Sequence, residues 1–356
     1  MHLKHLKLQH FRNYNDLDID FSDHITALVG LNAQGKTNLL ESIAFLALGK
    51  SFRSVKSLDT LKWDKAHGRI RGTVEKNGKQ TELEVFMQRE PEIKKVKKGS
   101  RIASPKSFFG SLRIVLFTPD HLDLVAGSPA DRRRYLDRLL LQLNGGYVDA
   151  FSQFQRILNQ RNALLKRINQ GRSNLWELDL WDVRLVEESE KIWIKRQVFM
   201  DFLMQRLEED YQNIAGTKEA LALEYINHRN RFEEKLIAHR DMDIKMGSTG
   251  VGPHRDDFDL LLGGRSLKET GSRGECRSTV LALKVAELNF IEEKTGEKPV
   301  LLLDDVFSEL DEQRQKTLGA MLENYQSIVT TTSKAHLKGL KNLTIFEVRD
   351  GQLKQV

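Results

Sequence analysis

Residues 25–37 read ITALVGLNAQGKT, a nearly unbroken apolar run that gives way to the pattern G-x-x-x-x-G-K-T. The run 25–29 is short and apolar on both sides, as in a strand buried on both faces. After the loop, Leu39, Leu40, Ile43, Ala44 and Ala47 recur at helical spacing. A glycine-rich turn between a buried strand and a helix is the setting in which this pattern cradles phosphate. Gly30 and Gly35 let backbone N–H groups turn inward around phosphate oxygens, and the helix N-terminus adds partial positive charge. Lys36 is then placed to reach the β- and γ-phosphates, and the Thr37 hydroxyl to ligate Mg²⁺. Gly30, Leu31, Asn32, Ala33, Gln34, Gly35, Lys36 and Thr37 are accordingly read as a nucleotide site.

Such a loop needs a carboxylate at the end of a neighbouring strand to hold the metal's water shell. VLLLDD supplies Asp304 and Asp305 about 270 residues downstream. The sheet must therefore be interrupted by an insertion and completed by the C-terminal residues. From about 120 to 245 Gly and Pro thin out, and charged segments carry apolar residues at helical spacing. Leu178, Leu185, Ile192 and Phe199 fall every seventh residue, but the companion row Trp181, Glu188, Lys195, Phe202 is only half apolar. Three heptads predict a helix of about 33 Å in a compact helical lobe. Elsewhere 16–21 alternates as a strand, 68–88 reads as a hairpin around Asn77-Gly78, and 94–100 (KKVKKGS) reads as a basic turn. STVLALKVAELNFIEE and DEQRQKTLGAMLENY read as helices, SIVTTT as a strand, and IFEVRDGQLKQV as a hairpin.

The 356 residues are 40% hydrophobic and 30% charged, enough for one large domain or two ordinary ones. No stretch approaches the roughly 18–20 apolar residues that span a bilayer. The N-terminal MHLKHLKLQHFRNY lacks the apolar core of a secretory signal, so a cytoplasmic protein with no membrane partner is expected. The single cysteine, Cys276, excludes an internal disulfide framework and a cysteine-based zinc site. Lys plus Arg exceed Asp plus Glu by 56 to 50, which permits a nucleic-acid partner without demonstrating one.

Two further segments complete an order. TGSRGEC (270–276) stands ahead of a helical run, and VFSELD (306–311) follows the aspartates. Phosphate loop, S-x-G-E before a helix, apolar run ending in Asp-Asp, then S-E-L-D resembles the ABC-type ATPase heads of the SMC-like DNA-repair branch. FRNY (11–14), KSFR (50–53), GSPADRRRYLD (127–137) and GPHRDD (252–257) extend the resemblance over nearly the whole chain, to the RecF family of bacterial recombination mediators.

That resemblance implies an α/β P-loop ABC-type head: lobe I, mixed β-sheets around the P-loop helix, at 1–118 plus 299–356. A mainly helical lobe II without a long coiled coil is inserted at 119–298, each boundary within 15 residues. It implies ATP sandwiched between the loop of one head and the trans segment Ser272, Gly274, Glu275 of another, where Ser272 and the Gly274 backbone would contact the γ-phosphate, at a helix beginning near Arg277. Ser272 and Glu275 also spell a capping box, S-x-x-E, and both roles are compatible. Asp304 matches the Mg²⁺-associated carboxylate. Asp305 stands where many ABC ATPases place a glutamate that orients the attacking water, and its shorter reach implies a slow ATPase. Asp311 matches the aspartate that reports across the dimer, and Arg12 an arginine near the phosphates. Two features of such heads are missing: a glutamine in VLFTPDHLDL, where Thr118 or Asp120 must substitute, and a histidine directly after SIVTTTS, with His336 arriving later.

By the same resemblance the chain is an ATP-dependent DNA-binding protein of recombinational repair. It would form an ATP-induced homodimer on single-strand/double-strand junctions at gaps, without sequence preference, and help load RecA with RecO and RecR. Lys50, Arg53 and Lys56 follow the P-loop helix where related heads sense DNA; Arg132, Arg133 and Arg134 form a second basic cluster. The competing reading is an enzyme proper, a P-loop small-molecule kinase or motor NTPase. No substrate lid and no second core domain argue for it. GPHRDD has a lone histidine, which argues against metal and for a structural turn.

Overall fold

The computed structural model describes residues 1–53, 56–143 and 145–356. Its first strands are β1 (His2–Phe11), β2 (Tyr14–Asp20) and β3 (Ile25–Val29), followed by helix α1 (Lys36–Leu48). Then come β4 (His67–Lys76), β5 (Lys79–Gln88), β6 (Ile93–Lys98), β7 (Arg101–Ile102) and β8 (Ile114–Phe117). The helices α2 (Pro129–Leu143), α3 (Gly145–Asn169) and α4 (Glu177–Ala215) precede β9 (Leu221–Ile226), β10 (Asp257–Leu262) and β11 (Arg265–Ser266). Helix α5 (Arg273–Thr295), β12 (Val300–Asp304), α6 (Glu312–Leu322), β13 (Ser327–Thr331), β14 (Leu343–Arg349) and β15 (Gln352–Gln355) close the chain.

The chain divides into two compact units, residues 1–121 with 280–356, and residues 122–279. The division at Val280 falls inside α5, so residues 280–295 of that helix belong to the first unit.

In the first unit, β2-β1-β4-β5-β6-β7 form an antiparallel sheet and β15-β14-β3-β13-β12-β8 a mixed one. In the mixed sheet β14, β3, β13, β12 and β8 run parallel, with β15 antiparallel at the edge. Strands from both ends of the chain thus complete one sheet around the insertion. Helix α1 packs against strands of both sheets. Leu39, Leu40, Ile43, Ala44, Phe45 and Leu46 are all fully buried, which suits a helix apolar nearly all round. The carboxylate strand is not adjacent to the loop strand as expected: β13 lies between β3 and β12. KKVKKGS is also not a turn. Most of it is β6, paired antiparallel with β5 from Ile93↔Gln88 to Lys98↔Leu83, and only 99–100 turn.

The second unit holds α2, α3, α4 and the sheet β11-β10-β9. Helix α4 has 39 residues, about 58 Å at ~1.5 Å per residue, longer than three heptads predict. Leu178, Leu185, Ile192 and Phe199 are fully buried, and burial continues through Leu203, Leu207, Tyr211 and Ile214 on a spacing the strict heptad does not track. The helix ends at Gly216, whose left-handed φ of 66° caps it.

This unit also has a polar core. Arg161 is ion-paired with Asp182 at 2.6 Å and Asp243 at 2.8 Å. Asp256, the first aspartate of GPHRDD, is fully buried and accepts from Arg196 (2.6 Å), Tyr225 (2.7 Å) and Trp193 (2.9 Å). The segment is a structural knot: His254 and Arg255 both reach the Thr249 carbonyl.

Candidate nucleotide site

Two glycines set the loop's shape. A side chain at Gly30 would put its Cβ 2.3 Å from the Val348 carbonyl oxygen, and one at Gly35 2.7 Å from Asn13 Nδ2, at a φ of 115°. The loop is thus closely held on both sides. On one, Asn13 Nδ2 donates to the Gln34 carbonyl (3.2 Å) and the buried Tyr14 hydroxyl to the Gly35 carbonyl (3.0 Å). On the other, the β14–β15 turn donates Asp350 N to Gln34 Oε1 (2.7 Å) and Gly351 N to the Gln34 carbonyl (3.1 Å). Sequence reading missed this brace. Asp350-Gly351 reads as an ordinary hairpin tip, and Asn13 only as part of the FRNY motif.

Inside the loop, a cavity of about 180 Å³ is lined by residues including Ala33, Lys36, Thr37, Arg53, Asp305 and Thr330. Lys36 is 6% exposed, and its ammonium donates to the Gly30 and Leu31 carbonyls at 2.7 and 2.8 Å. Burial lowers its pKa, against the pull of Asp305 and Asp304. Thr37 Oγ1 donates to Asp304 Oδ1 at 2.7 Å, and Thr330 from the intervening strand donates to the same oxygen at 2.9 Å. Asp305 has a left-handed φ of 49°, and its N–H donates to Thr330 Oγ1. Burial raises the Asp305 pKa; Lys36 opposes that rise and Asp304 adds to it. Its Oδ1 is buried without a hydrogen-bond partner. An orphan acceptor beside a hydroxyl and a second carboxylate is what a hydrated cation or an attacking water would satisfy.

Among the described residues no three His, Cys, Asp or Glu side chains cluster as a metal cage. A cation here would rest on Thr37, Asp304 and the phosphates themselves, the sparse protein coordination that Mg²⁺ favours.

The remaining candidates separate. Arg12 reaches α1 rather than the cavity, clasping the fully buried Glu41 through Nε (2.9 Å) and Nη2 (2.6 Å). Arg53 lines the cavity, 3.1 Å from Asn38 Oδ1, and its side chain is also 45% exposed. Lys50 and Lys56 are exposed; Ser54 and Val55 between them lie outside the described residues. Arg132 is not available to DNA: it is 3% exposed and paired with both oxygens of Asp257 at 2.6 and 3.0 Å. Arg133 donates to the Asp256 carbonyl, and burial lowers its pKa. The reason is local. Successive residues of α2 point in different directions, and these two point at β10.

Asp311 caps α6, accepting from Arg314 N at 2.9 Å. In the second unit, Ser272 N donates to Glu275 Oε2 (2.7 Å) and Glu275 N to Ser272 Oγ (3.3 Å), a reciprocal capping box. The helix accordingly begins at Arg273, one turn before the expected Arg277. The capping box orders this helix N-terminus, with Gly274 in its first turn. Thr118 is buried at the end of β8 and Asp120 is exposed beyond it. His336 returns to the sheet: its Nδ1 is 2.8 Å from Thr331 Oγ1, and its charge bears on Asp305.

Comparison with known proteins agrees with this geometry. The model of the RecF/RecN/SMC N terminal domain matches residues 2–354. The chain is 38% identical over 360 residues to the DNA replication and repair protein RecF of Lactococcus lactis subsp. cremoris strain MG1363, covering 100% of this chain and 99% of that one. It is 35% identical over 371 residues to RecF of Geobacter sulfurreducens, covering both fully. A solved structure of the recombination mediator protein RecF-ATP in the RecFOR pathway superposes with a TM-score of 0.92 at 32% identity, over 99% of this chain and 97% of that one. An Smc head bound to the C-winged helix domain of ScpA has the same fold, with a TM-score of 0.60 at 16% identity over 100% and 97%. No helix among the described residues is long and apolar enough to cross a membrane. An SMC-like ABC ATPase head with this loop, matched end to end by these proteins, belongs to the RecF family.

Proposed function

We propose that the chain is an ATP-switched DNA-binding protein of recombinational repair. The observation that carries the reading is the Thr37–Asp304 hydrogen bond beside Lys36 and the orphaned Asp305 oxygen. Together they suit a phosphate and a cation, with Asp305 lining the same cavity. ATP would rest its phosphates on the loop backbone and Lys36, and Thr37 and Asp304 would hold Mg²⁺, which would neutralise phosphate charge. Asp305 orients the attacking water, and its short side chain makes hydrolysis a slow timer. Two copies close on the nucleotide, each contributing the helix end at Ser272, Gly274 and Glu275 to the other's γ-phosphate, with Asp311 reporting across the pair. The γ-phosphate then acts as a switch, because those contacts exist only in the dimer.

Closure brings two basic surfaces onto one DNA, steepening the salt dependence without reading sequence. The relatives' place in the RecFOR pathway supports RecR and RecO as partners in loading RecA at gaps. The test is fluorescence anisotropy of labelled gapped DNA titrated with protein, with ATP and Mg²⁺ or without nucleotide. Tighter binding with ATP, lost in Lys36→Ala, is expected. Equal binding in both conditions contradicts the switch.

A further inference from the structure

The solvent face of the antiparallel sheet carries an ordered field of cations. Register places Lys7, Arg71, Glu84 and Lys97 in one row across β1, β4, β5 and β6, and Gln9, Arg69, Phe86 and Lys95 in the next. Those rows hold five cations against one carboxylate. Lys7 stands directly opposite Arg71, a like-charge pairing that disfavours a sheet. Glu84 is 3% exposed, and its oxygens hold Arg71 at 2.5 Å, Lys97 at 3.1 Å and Arg69 at 3.9 Å. The carboxylate hydrogen-bonds Arg71 and ion-pairs with Lys97, while Arg69 stands at the outer limit of its reach, and each of the three stays 35–41% exposed. Acidic neighbours mark the field's edges: Asp16, Asp18 and Asp20 on β2, where Asp18 pairs with His5 and Lys7, and Glu82 in the row beyond.

We propose that this face of β1, β4, β5 and β6 is where the DNA backbone lies. The proposal rests on the DNA-binding reading above and assigns it a surface, which Arg132 and Arg133 do not provide. Pre-ordered cations over about 14 Å, three strand spacings, suit a row of phosphates. Contacts of this kind are blind to base sequence. A protein partner is disfavoured, because the field's one aromatic, Phe86, is half-buried beneath the Arg69 guanidinium at 5.3 Å and offers no pocket for an anchor. The acidic β2 side repels phosphate and sets which side of the sheet the duplex follows. The lysines of β6 join the field only because KKVKKGS forms a strand.

The experiment is anisotropy of a labelled 30-base-pair duplex across a salt series with ATP and Mg²⁺, using wild type and the triple variant Arg69→Gln, Lys95→Gln, Lys97→Gln. Arg71 is kept so that Glu84 retains a partner. Affinity is expected to fall at least tenfold, and the slope of log K against log salt to shrink by about 2–3, near 0.9 per lost phosphate contact. ATP-dependent sedimentation should not change. Lys95→Glu guards against misfolding of the triple variant: this exposed single change should weaken binding several-fold at an unaltered melting temperature. Wild-type affinity and slope in Lys95→Glu overturn the surface assignment alone. A wild type that binds no DNA overturns the DNA reading itself, and one that holds polyglutamate as tightly as the duplex shows an acidic-protein dock instead.

Discussion

Thr37 and Asp304 lie 267 residues apart in sequence, and the hydroxyl of one donates to the carboxylate of the other at 2.7 Å. The bond spans one intervening strand, and Thr330 of that strand donates to the same oxygen. The site therefore exists only once the C-terminal strands have joined the sheet begun by β3. Truncating the chain before β12 removes the carboxylates together with four of the six strands of the sheet that holds the loop.

Thr37→Ala should weaken ATP binding about tenfold when Mg²⁺ is present, since a hydrogen bond to a charged group contributes about 1.5 kcal/mol. In EDTA the variant and wild type should bind alike. Titration with a fluorescent ATP analogue under both conditions checks this, and an equal loss in EDTA would mean the hydroxyl serves the loop rather than the cation.

Asn13 touches the loop without facing the cavity. Beyond its bond to Gln34 it accepts from Asn38 Nδ2 at 2.8 Å. Removing two neutral hydrogen bonds of about 1 kcal/mol each, Asn13→Ala should raise the nucleotide Kd roughly five- to thirtyfold while the melting temperature stays close to wild type. A large fall in melting temperature with unchanged Kd would assign Asn13 to folding alone.

Asp256→Asn leaves the buried Arg196 without its closest carboxylate, though Asp137 remains 2.8 Å away. Breaking a buried ion pair from one side costs about 3–5 kcal/mol, and the remaining partner places the expectation near the lower figure. Urea unfolding reads it. ATP affinity measured in buffer should not change, because this knot belongs to the helical unit.

His254 provides a pH signature. Burial lowers its pKa to about 4 from 6.5, and its Nδ1 is sealed without a partner. A base with a depressed folded pKa binds protons first in the unfolded chain. Its contribution is therefore complete above about pH 6.5 and is lost as pH falls toward 4, by at most about 3 kcal/mol. Wild type should lose stability between pH 7 and 5 more steeply than His254→Gln. Parallel melting curves for the two across that range would contradict the assignment.

Much of the fold was legible because its signals are local. ITALV, NLLESIAFLALG and VLLLDD each announce their element by apolar pattern, and Asn77-Gly78 forms its hairpin with both residues at positive φ. What was not legible depends on contacts distant in sequence. KKVKKGS looks like a solvated turn until β5 pairs with it. Arg132 and Arg133 look like a binding cluster until β10 supplies Asp257 and the Asp256 carbonyl. Arg53 reads as an outward cation; it is exposed, yet it also lines the cavity beside Asn38. The capping box at Ser272 was readable, being a three-residue spacing, whereas the brace of Asn13 and Asp350 on Gln34 joins segments from opposite ends of the chain.

The central claim is that ATP on this loop joins two copies through the Ser272 segment. Sedimentation velocity of the purified protein with and without ATP and Mg²⁺ tests it most directly, with Ser272→Arg alongside. Expected are a monomer without nucleotide, a dimer with ATP, and a Ser272→Arg protein that binds ATP yet sediments as a monomer. A wild type that remains monomeric at saturating ATP, or a Ser272→Arg protein that dimerises as readily as wild type, would contradict it.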